Sequence, residues 1–131
     1  MILEIDFNSD EALYIQLRNQ IVIGIATSQL SAGDSLPSVR QLADRVGINM
    51  HTVNKAYTVL RQEGYVKLDR RKGAVIAIDC NKASARNKLL RDLQVMLAGA
   101  MCKRITRDEV HEMIDMIYDY YEQPANYPEE G

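Results

Sequence analysis

Two short helical patterns separated by a single tight turn constrain the fold of this 131-residue chain more than any other feature. Ser38 lies three residues before Gln41, the spacing of a capping box that opens a helix, and Gly47 can adopt the left-handed conformation that ends one. Asn49 then caps another helix, which Gly64 ends. Two short helices joined in this way predict a helix-turn-helix motif.

Apolar side chains at helical spacing predict which face each helix buries. The same pattern occurs upstream, where it predicts a first helix that begins near Glu11, is capped by one of residues 8–10, and ends before Ala32. A run of β type, Ile2 to Phe7, precedes that helix. The predicted core positions are Leu13, Leu17, Ile21 and Ile25 in the first helix, Val39, Leu42, Ala43 and Val46 in the second, and Val53, Ala56, Tyr57 and Leu60 in the third.

Strand character replaces helical character after Gly64. Residues 65–68 and 74–78 are rich in β-branched and apolar side chains, and the short polar segment between them ends in Gly73. This pattern predicts a β-hairpin with a cationic tip, Arg70-Arg71-Lys72, and we call the hairpin at residues 65–78 the wing. The predicted fold is therefore α+β and mostly helical, with an N-terminal winged helix-turn-helix.

The remaining residues predict two helices, the second opened by a capping box between Thr106 and Glu109. Roughly fifty residues in two helices cannot enclose an independent core, so we expect this C-terminal hairpin to pack on another copy of the chain. The predicted domains are a DNA-binding domain at 1–78, a dimerisation region at 79–122 and a flexible tail at 123–131. The predicted dimer interface comprises Leu93, Met96, Leu97, Met101, Met113, Ile114, Ile117 and Tyr121.

The net charge of −2 hides an uneven distribution of charge along the chain. Residues 35–78 carry eight basic and three acidic side chains, whereas residues 1–34 and 79–131 are acidic. A basic segment in an acidic chain is expected where one face meets nucleic-acid phosphates, and a solvated basic surface is the alternative.

The outward face of the third helix is polar and contains one lysine and no acid. Amides, hydroxyls and lysine find ready partners on base edges and phosphates in a major groove, so the pattern favours DNA contact over a solvated face. Arg40 can reach a phosphate or a guanine, or it can pair with Asp44 on the surface. The outward residues are His51, Asn54, Lys55, Thr58 and Gln62, with Thr52 on the flank.

Catalytic and cofactor-binding motifs are not found in the sequence. It contains no glycine-rich phosphate loop, nucleophile elbow or HExxH, so we expect neither an enzyme nor a cofactor. Cys80 and Cys102 lack metal-ligand spacing. The acidic side chains around His111 are typical of a solvated helix face, and a metal site is the alternative.

The sequence predicts a cytoplasmic protein without membrane contact. Its apolar runs are too short to cross a bilayer, and its first residues lack the pattern of a secretory signal.

The residues of the helix-turn-helix closely resemble the winged-helix domain of the GntR family of bacterial transcription regulators. The match covers about residues 10–78, and its Asn-Lys-Ala-Tyr sequence and short two-helix C-terminal region resemble the YtrA-like subfamily, in which that region serves dimerisation. The segments that carry the resemblance are Leu36-Pro37-Ser38-Val39-Arg40-Gln41-Leu42-Ala43, Gly47-Ile48-Asn49, Thr52-Val53-Asn54-Lys55-Ala56-Tyr57, Leu60 and Glu63-Gly64-Tyr65.

The resemblance implies DNA contacts on the second helix, the third helix and the wing. The usual Gly-Thr-Phe-Val ending of the wing is here Gly73-Ala74-Val75-Ile76, and the preceding glycine is missing. A side-chain contact of the wing is therefore better supported than close approach of its backbone to the minor groove. The implied contact residues are Arg40, Asn49, His51, Thr52, Asn54, Lys55, Arg70, Arg71 and Gly73.

These observations predict a sequence-specific DNA-binding regulator, a repressor, that binds an inverted-repeat operator in double-stranded DNA as a homodimer. One alternative is a winged-helix module that binds protein through its acidic C-terminal helices. Another is a truncated relative of regulators that fuse a winged-helix domain to an aminotransferase-like domain. The capping box at Thr106 argues against it, because it indicates a completed helical hairpin. The sequence does not identify the operon that is controlled, and both the presence and the absence of a small-molecule effector are compatible with it.

Overall fold

The computed structural model describes residues 3–123. Its contacts divide the chain into two compact units between Asp79 and Cys80. None of the helices among the described residues is long and apolar enough to cross a membrane. The predicted fold class is confirmed: the elements are α1 (Leu13–Ala26), α2 (Val39–Val46), α3 (Met50–Gln62), β1 (Val66–Asp69), β2 (Gly73–Ile76), α4 (Lys82–Cys102) and α5 (Arg107–Glu122).

The helix-turn-helix forms through the predicted caps. The Ser38 hydroxyl accepts a hydrogen bond from the Gln41 N–H at 3.1 Å, and Gln41 Oε1 accepts from the Ser38 N–H at 3.0 Å. Gly47 ends α2 in the left-handed region, with φ +78°. The Asn49 side chain accepts from the His51 N–H at 2.7 Å and opens α3. Gly64, with φ +84°, follows the end of α3 as predicted.

The core of the first unit lies where α1 and α2 both pack against α3. Four of the predicted positions, at the ends of α1 and α2, are only half-buried: Leu13, Ile25, Val39 and Val46. The other eight predicted positions are buried, which confirms the apolar face of each helix: Leu17, Ile21, Leu42, Ala43, Val53, Ala56, Tyr57 and Leu60.

Residues 3–7, the described part of the β-type run from Ile2 to Phe7, do not form a strand. Their backbone pairs with two glutamine side chains of α1 instead of with another strand. Gln16 Oε1 accepts from the Asp6 N–H at 2.9 Å, and Gln16 Nε2 donates to the Asp6 carbonyl at 3.0 Å. Gln20 makes the same pair of bonds with Glu4. An amide side chain offers both a donor and an acceptor, so it can replace a strand edge.

The start of α1 also differs from the prediction. The helix begins at Leu13 rather than near Glu11, and Ala12 at the N-cap supplies no side-chain hydrogen bond. One of the predicted capping residues bonds within the preceding turn instead: Ser9 Oγ accepts from the Glu11 N–H at 3.1 Å. Side chains of this type bond local backbone N–H groups outside a helix as readily as at its cap.

The wing is an antiparallel hairpin in which Val66 pairs with Ile76 and Asp69 pairs with Gly73. Residues 33–36 lie along the other edge of β2, where the Gly33 N–H donates to the Ile76 carbonyl at 2.8 Å. This pairing covers an edge strand and fixes the wing to the segment that enters α2.

The second unit consists of α4 and α5. Asn81 caps α4 by accepting from the Ser84 N–H at 3.2 Å, and the predicted capping box between Thr106 and Glu109 opens α5. The two helices make very little contact along their lengths, and no residue of either helix is buried. Two helices alone do not provide enough apolar surface for a core. The predicted tail lies, apart from Gln123, outside the described residues.

Candidate nucleic-acid interface

The predicted DNA-contacting residues lie on α2, on α3 and on the wing. Thr52 is half-buried on the flank of α3, and the other eight are exposed. The structure brings three of them together, since Asn49, His51 and Asn54 line a shallow cavity of about 550 Å³. The wing residue Gly73 lines a different cleft, which Asn54 shares.

The start of α3 presents polar groups that serve different purposes. Asn49 uses its side-chain oxygen to cap the helix, so its role includes fixing the position of the first turn. The Thr58 hydroxyl donates to the Asn54 carbonyl at 2.9 Å and is satisfied within the helix. His51 and Asn54 are exposed, and no side-chain hydrogen bond engages either within residues 3–123. They are the best placed to bond an external partner.

Lys55 is held on the side of α3 that faces α1. Its Nζ lies 4.1 Å from the centroid of the Tyr14 ring, which is close enough for a cation–π interaction. The structure therefore separates Lys55 from the cleft that Asn54 lines, although the side chain is exposed.

Arg40, the second residue of α2, is exposed. Among the residues that the structure describes, no ion pair joins Arg40 to Asp44, so this alternative pairing is not observed. The guanidinium is therefore available at the N-terminal end of α2.

The tip of the wing is shaped by Asp69. Its carboxylate accepts from the backbone N–H groups of Arg71 at 2.8 Å and Lys72 at 3.0 Å. These hydrogen bonds hold the pKa of Asp69 below its ordinary value, and the bond from the Arg71 N–H has the largest effect. Gly73 has φ +75°, a conformation that favours glycine. The cationic side chains at the tip thus stand on an ordered turn.

Two contacts fix α3 against its neighbours. The Tyr57 hydroxyl donates to the Pro37 carbonyl at 2.8 Å, and burial raises the pKa of this phenol well above its usual range. Arg18 forms two parallel bonds to Glu63, at 2.8 and 3.1 Å, and the Glu63 carboxylate raises the pKa of the guanidinium. The polar face of α3 is therefore carried by a helix tied to both α1 and the segment before α2.

Two residues of this surface are missing from the prediction. Met50 is 44% exposed and lines the same cavity as Asn49 and His51. Arg61 is exposed and lines the cleft beside the wing. Its spacing of seven residues from Asn54 places both on one face of α3 and could have revealed it.

The remaining predicted residues lie on the second unit. Leu93 and Tyr121 are half-buried, while the other six residues of the predicted dimer interface are exposed apolar side chains. Within residues 3–123, where His111 and its acidic neighbours lie, no group of three His, Cys, Asp or Glu side chains is placed to hold a metal ion.

Sequence comparisons identify relatives of this chain. The model of the family described as "Bacterial regulatory proteins, gntR family" matches residues 11–76. The HTH-type transcriptional repressor YtrA of Bacillus subtilis (strain 168) is 29% identical over 118 residues, which cover 88% of this chain and 91% of that protein. The uncharacterized HTH-type transcriptional regulator YhcF of the same organism is 34% identical over 71 residues, 54% of this chain and 59% of YhcF.

Solved structures show the same fold. YtrA from Sulfolobus acidocaldarius, a GntR-family transcription factor, is 34% identical with a TM-score of 0.58, over 92% of this chain and 99% of that chain. A transcriptional antiterminator from Listeria monocytogenes EGD-e is 23% identical with a TM-score of 0.81, over 94% of each chain. AraR(DBD) in complex with operator ORX1 is 22% identical with a TM-score of 0.50, over 59% of this chain and 99% of that chain. The match to residues 11–76, together with the helix-turn-helix and its wing, shows that this chain belongs to the gntR family of bacterial regulatory proteins.

Proposed function

We propose that this protein is a sequence-specific DNA-binding transcriptional regulator, a repressor, that binds an inverted-repeat operator as a homodimer in the cytoplasm. In this proposal residues 1–78 read the operator and residues 79–122 form the dimer. The observation that carries it is the exposed, acid-free polar face of α3, which is accompanied by an exposed Arg40 on α2 and by the exposed cationic tip of the wing.

The chemistry of this face suits the major groove. Asparagine can bond adenine through two hydrogen bonds, and the exposed thioether of Met50 can contact a thymine methyl group. Arginine and lysine side chains at the borders suit phosphates, which position a protein without specifying sequence. The AraR(DBD) structure contains an operator, and YtrA of Bacillus subtilis is described as a repressor; both support the proposal.

The open surfaces of α4 and α5 support a homodimer. Large apolar side chains along both helices are exposed in the single chain, for example Leu97 at 40% and Met101 at 77%. Many exposed apolar side chains on one pair of helices indicate an interaction site, and a second copy of the same helices is a self-complementary partner. Two-fold symmetry then requires an inverted repeat, with recognition helices about 34 Å apart or a multiple of that.

Selection of bound genomic fragments by the full chain tests the proposal. We expect enriched fragments to share an inverted repeat, upstream of a gene whose transcription rises when the protein is removed. If retained DNA shows no shared sequence and is released at moderate salt, the protein does not read a specific operator. The module that binds protein through its C-terminal helices is then the better assignment.

A matched pair of asparagine substitutions tests whether α3 reads the sequence. Asn54→Ala should lower the preference for the selected site over a scrambled duplex by about 1–3 kcal/mol, the value of one good base contact. Asn87→Ala removes the same amide from the exposed surface of α4 and should leave the preference unchanged. Equal effects of the two substitutions would rule out a base contact by Asn54.

A further inference from the structure

A cleft of about 500 Å³ separates α3 from the wing. One wall contains Asn54, Thr58 and Arg61, and the other contains Leu68 and Lys72. None of the described residues that line this cleft is acidic. The cleft is therefore an electropositive groove beside the face proposed to read bases.

Arg61 is oriented along the same side of α3 as Asn54. It lies seven residues further along, which is about 10 Å at the rise of an α-helix. A major groove is about 12 Å wide, so when Asn54 reaches base edges Arg61 lies near the strand that borders the groove. Within residues 3–123 no ion pair engages this exposed guanidinium.

The wing wall of the cleft adds an apolar contact. Leu68 is 65% exposed, although it is a large aliphatic side chain in a strand. A DNA strand presents alternating phosphates and deoxyribose rings, so a groove that combines cations with an exposed leucine matches both groups. A free anion would use the cations and leave the apolar wall without a partner.

Resting on the proposed function, we infer that this cleft binds the sugar-phosphate backbone of one operator strand. Arg61 contacts a phosphate from the α3 side, Lys72 contacts the backbone from the wing side, and Leu68 packs on a deoxyribose. The cleft contributes affinity and register, and it does not read sequence.

The dependence of binding on salt tests the contact made by Arg61. The full chain is titrated onto the selected duplex and onto a scrambled duplex of the same composition, at 50 and 200 mM salt. Loss of one phosphate contact reduces the affinity ratio between these two salt concentrations by about 3.5-fold. We expect Arg61→Ala to show this reduction on both duplexes, with the preference for the selected duplex unchanged.

Two further variants separate a phosphate contact from other effects. Arg61→Lys retains the charge and should keep the wild-type salt dependence. Lys67→Ala removes one charge from the same hairpin, on the face opposite Leu68, where Lys67 lines a different cavity. This variant should also keep the wild-type salt dependence. Thermal unfolding of each variant verifies that the fold is intact.

The outcomes distinguish this inference from the proposed function. An unchanged salt dependence for Arg61→Ala, or a loss confined to the selected duplex, overturns the backbone contact while the regulator assignment stands. A wild-type protein that does not prefer the selected duplex overturns the proposed function. The scrambled duplex still reports on Arg61 in that case.

Discussion

The Tyr57 hydroxyl connects the helix that carries the candidate interface to the segment before α2. Its hydrogen bond to the Pro37 carbonyl is 2.8 Å long, and the ring is buried. Tyr57→Phe keeps the ring but removes the bond, so we expect a loss of about 1 kcal/mol in the free energy of unfolding. Urea denaturation measures this loss, and Tyr118→Phe on the exposed surface of α5 is the control. Unchanged stability would show that the Pro37 carbonyl finds an equivalent partner.

Asp69 gives the tip of the wing a dependence on pH. The pKa of Asp69 is lowered in the folded protein. The stability that its two hydrogen bonds contribute to the turn is therefore fully present above pH 3.8, the ordinary pKa of the group. It is lost as the pH falls through the lower pKa of the folded state. The amide signals of Arg71 and Lys72 in NMR spectra should therefore titrate with a midpoint below 3.8. Asp69→Asn retains an acceptor oxygen and should abolish this titration. A midpoint at or above 3.8 would contradict the hydrogen-bonded turn.

Single residues were predictable where their partners are close in sequence. Asn49 caps α3 through His51, two positions away, and the amide and hydroxyl groups involved have well-known preferences for such sites. The contact between Lys55 and Tyr14 spans two helices, and no pattern in the sequence indicated it. Whether the residues implied by family resemblance touch DNA remains a prediction.

At the scale of elements, Gly47 determines how α2 ends and how closely α3 follows it. With φ +78°, it occupies a conformation that costs an alanine about 1 kcal/mol, although a Cβ there meets no atom within 4 Å. Gly47→Ala should therefore destabilise the protein by about 1 kcal/mol, measured by thermal or urea unfolding. Asn tolerates this conformation, so Gly47→Asn should cost less. Equal losses would point to a steric rather than a conformational cause.

Local signals in the sequence predicted the helices and the hairpin. Pairing between segments that are distant in sequence explains where the structure differs from the prediction. Caps and glycine stops act within three or four residues, so the boundaries of α2 and α3 follow from the sequence. Residues 33–36 pair with β2 about forty residues later, and residues 4–6 pair with Gln16 and Gln20. Neither segment has a regular pattern that identifies its partner, so their structure depended on the assembled first unit.

At the scale of the whole molecule, the two units differ in how they meet the requirement for a core. The first unit buries a cluster of side chains from three helices and the wing. In the second, none of the residues described up to Gln123 is buried, and its helices make little contact with each other. Chain length and apolar spacing predicted that this region needs a partner, whereas the separation of α4 from α5 depends on packing that those patterns do not encode.

A charge placed on the apolar face of α4 tests the proposed homodimer. Leu97→Glu puts a carboxylate at the centre of the predicted interface, where burial without a partner costs about 3 kcal/mol or more. We expect the dimer dissociation constant, measured by sedimentation, to rise about a hundredfold or more. The wild-type protein should sediment at twice the 14.9 kDa mass of the chain. Val95→Glu lies two residues away on another face of the helix and should remain dimeric. A dimeric Leu97→Glu protein, or equal disruption by both substitutions, would place the contact between subunits elsewhere.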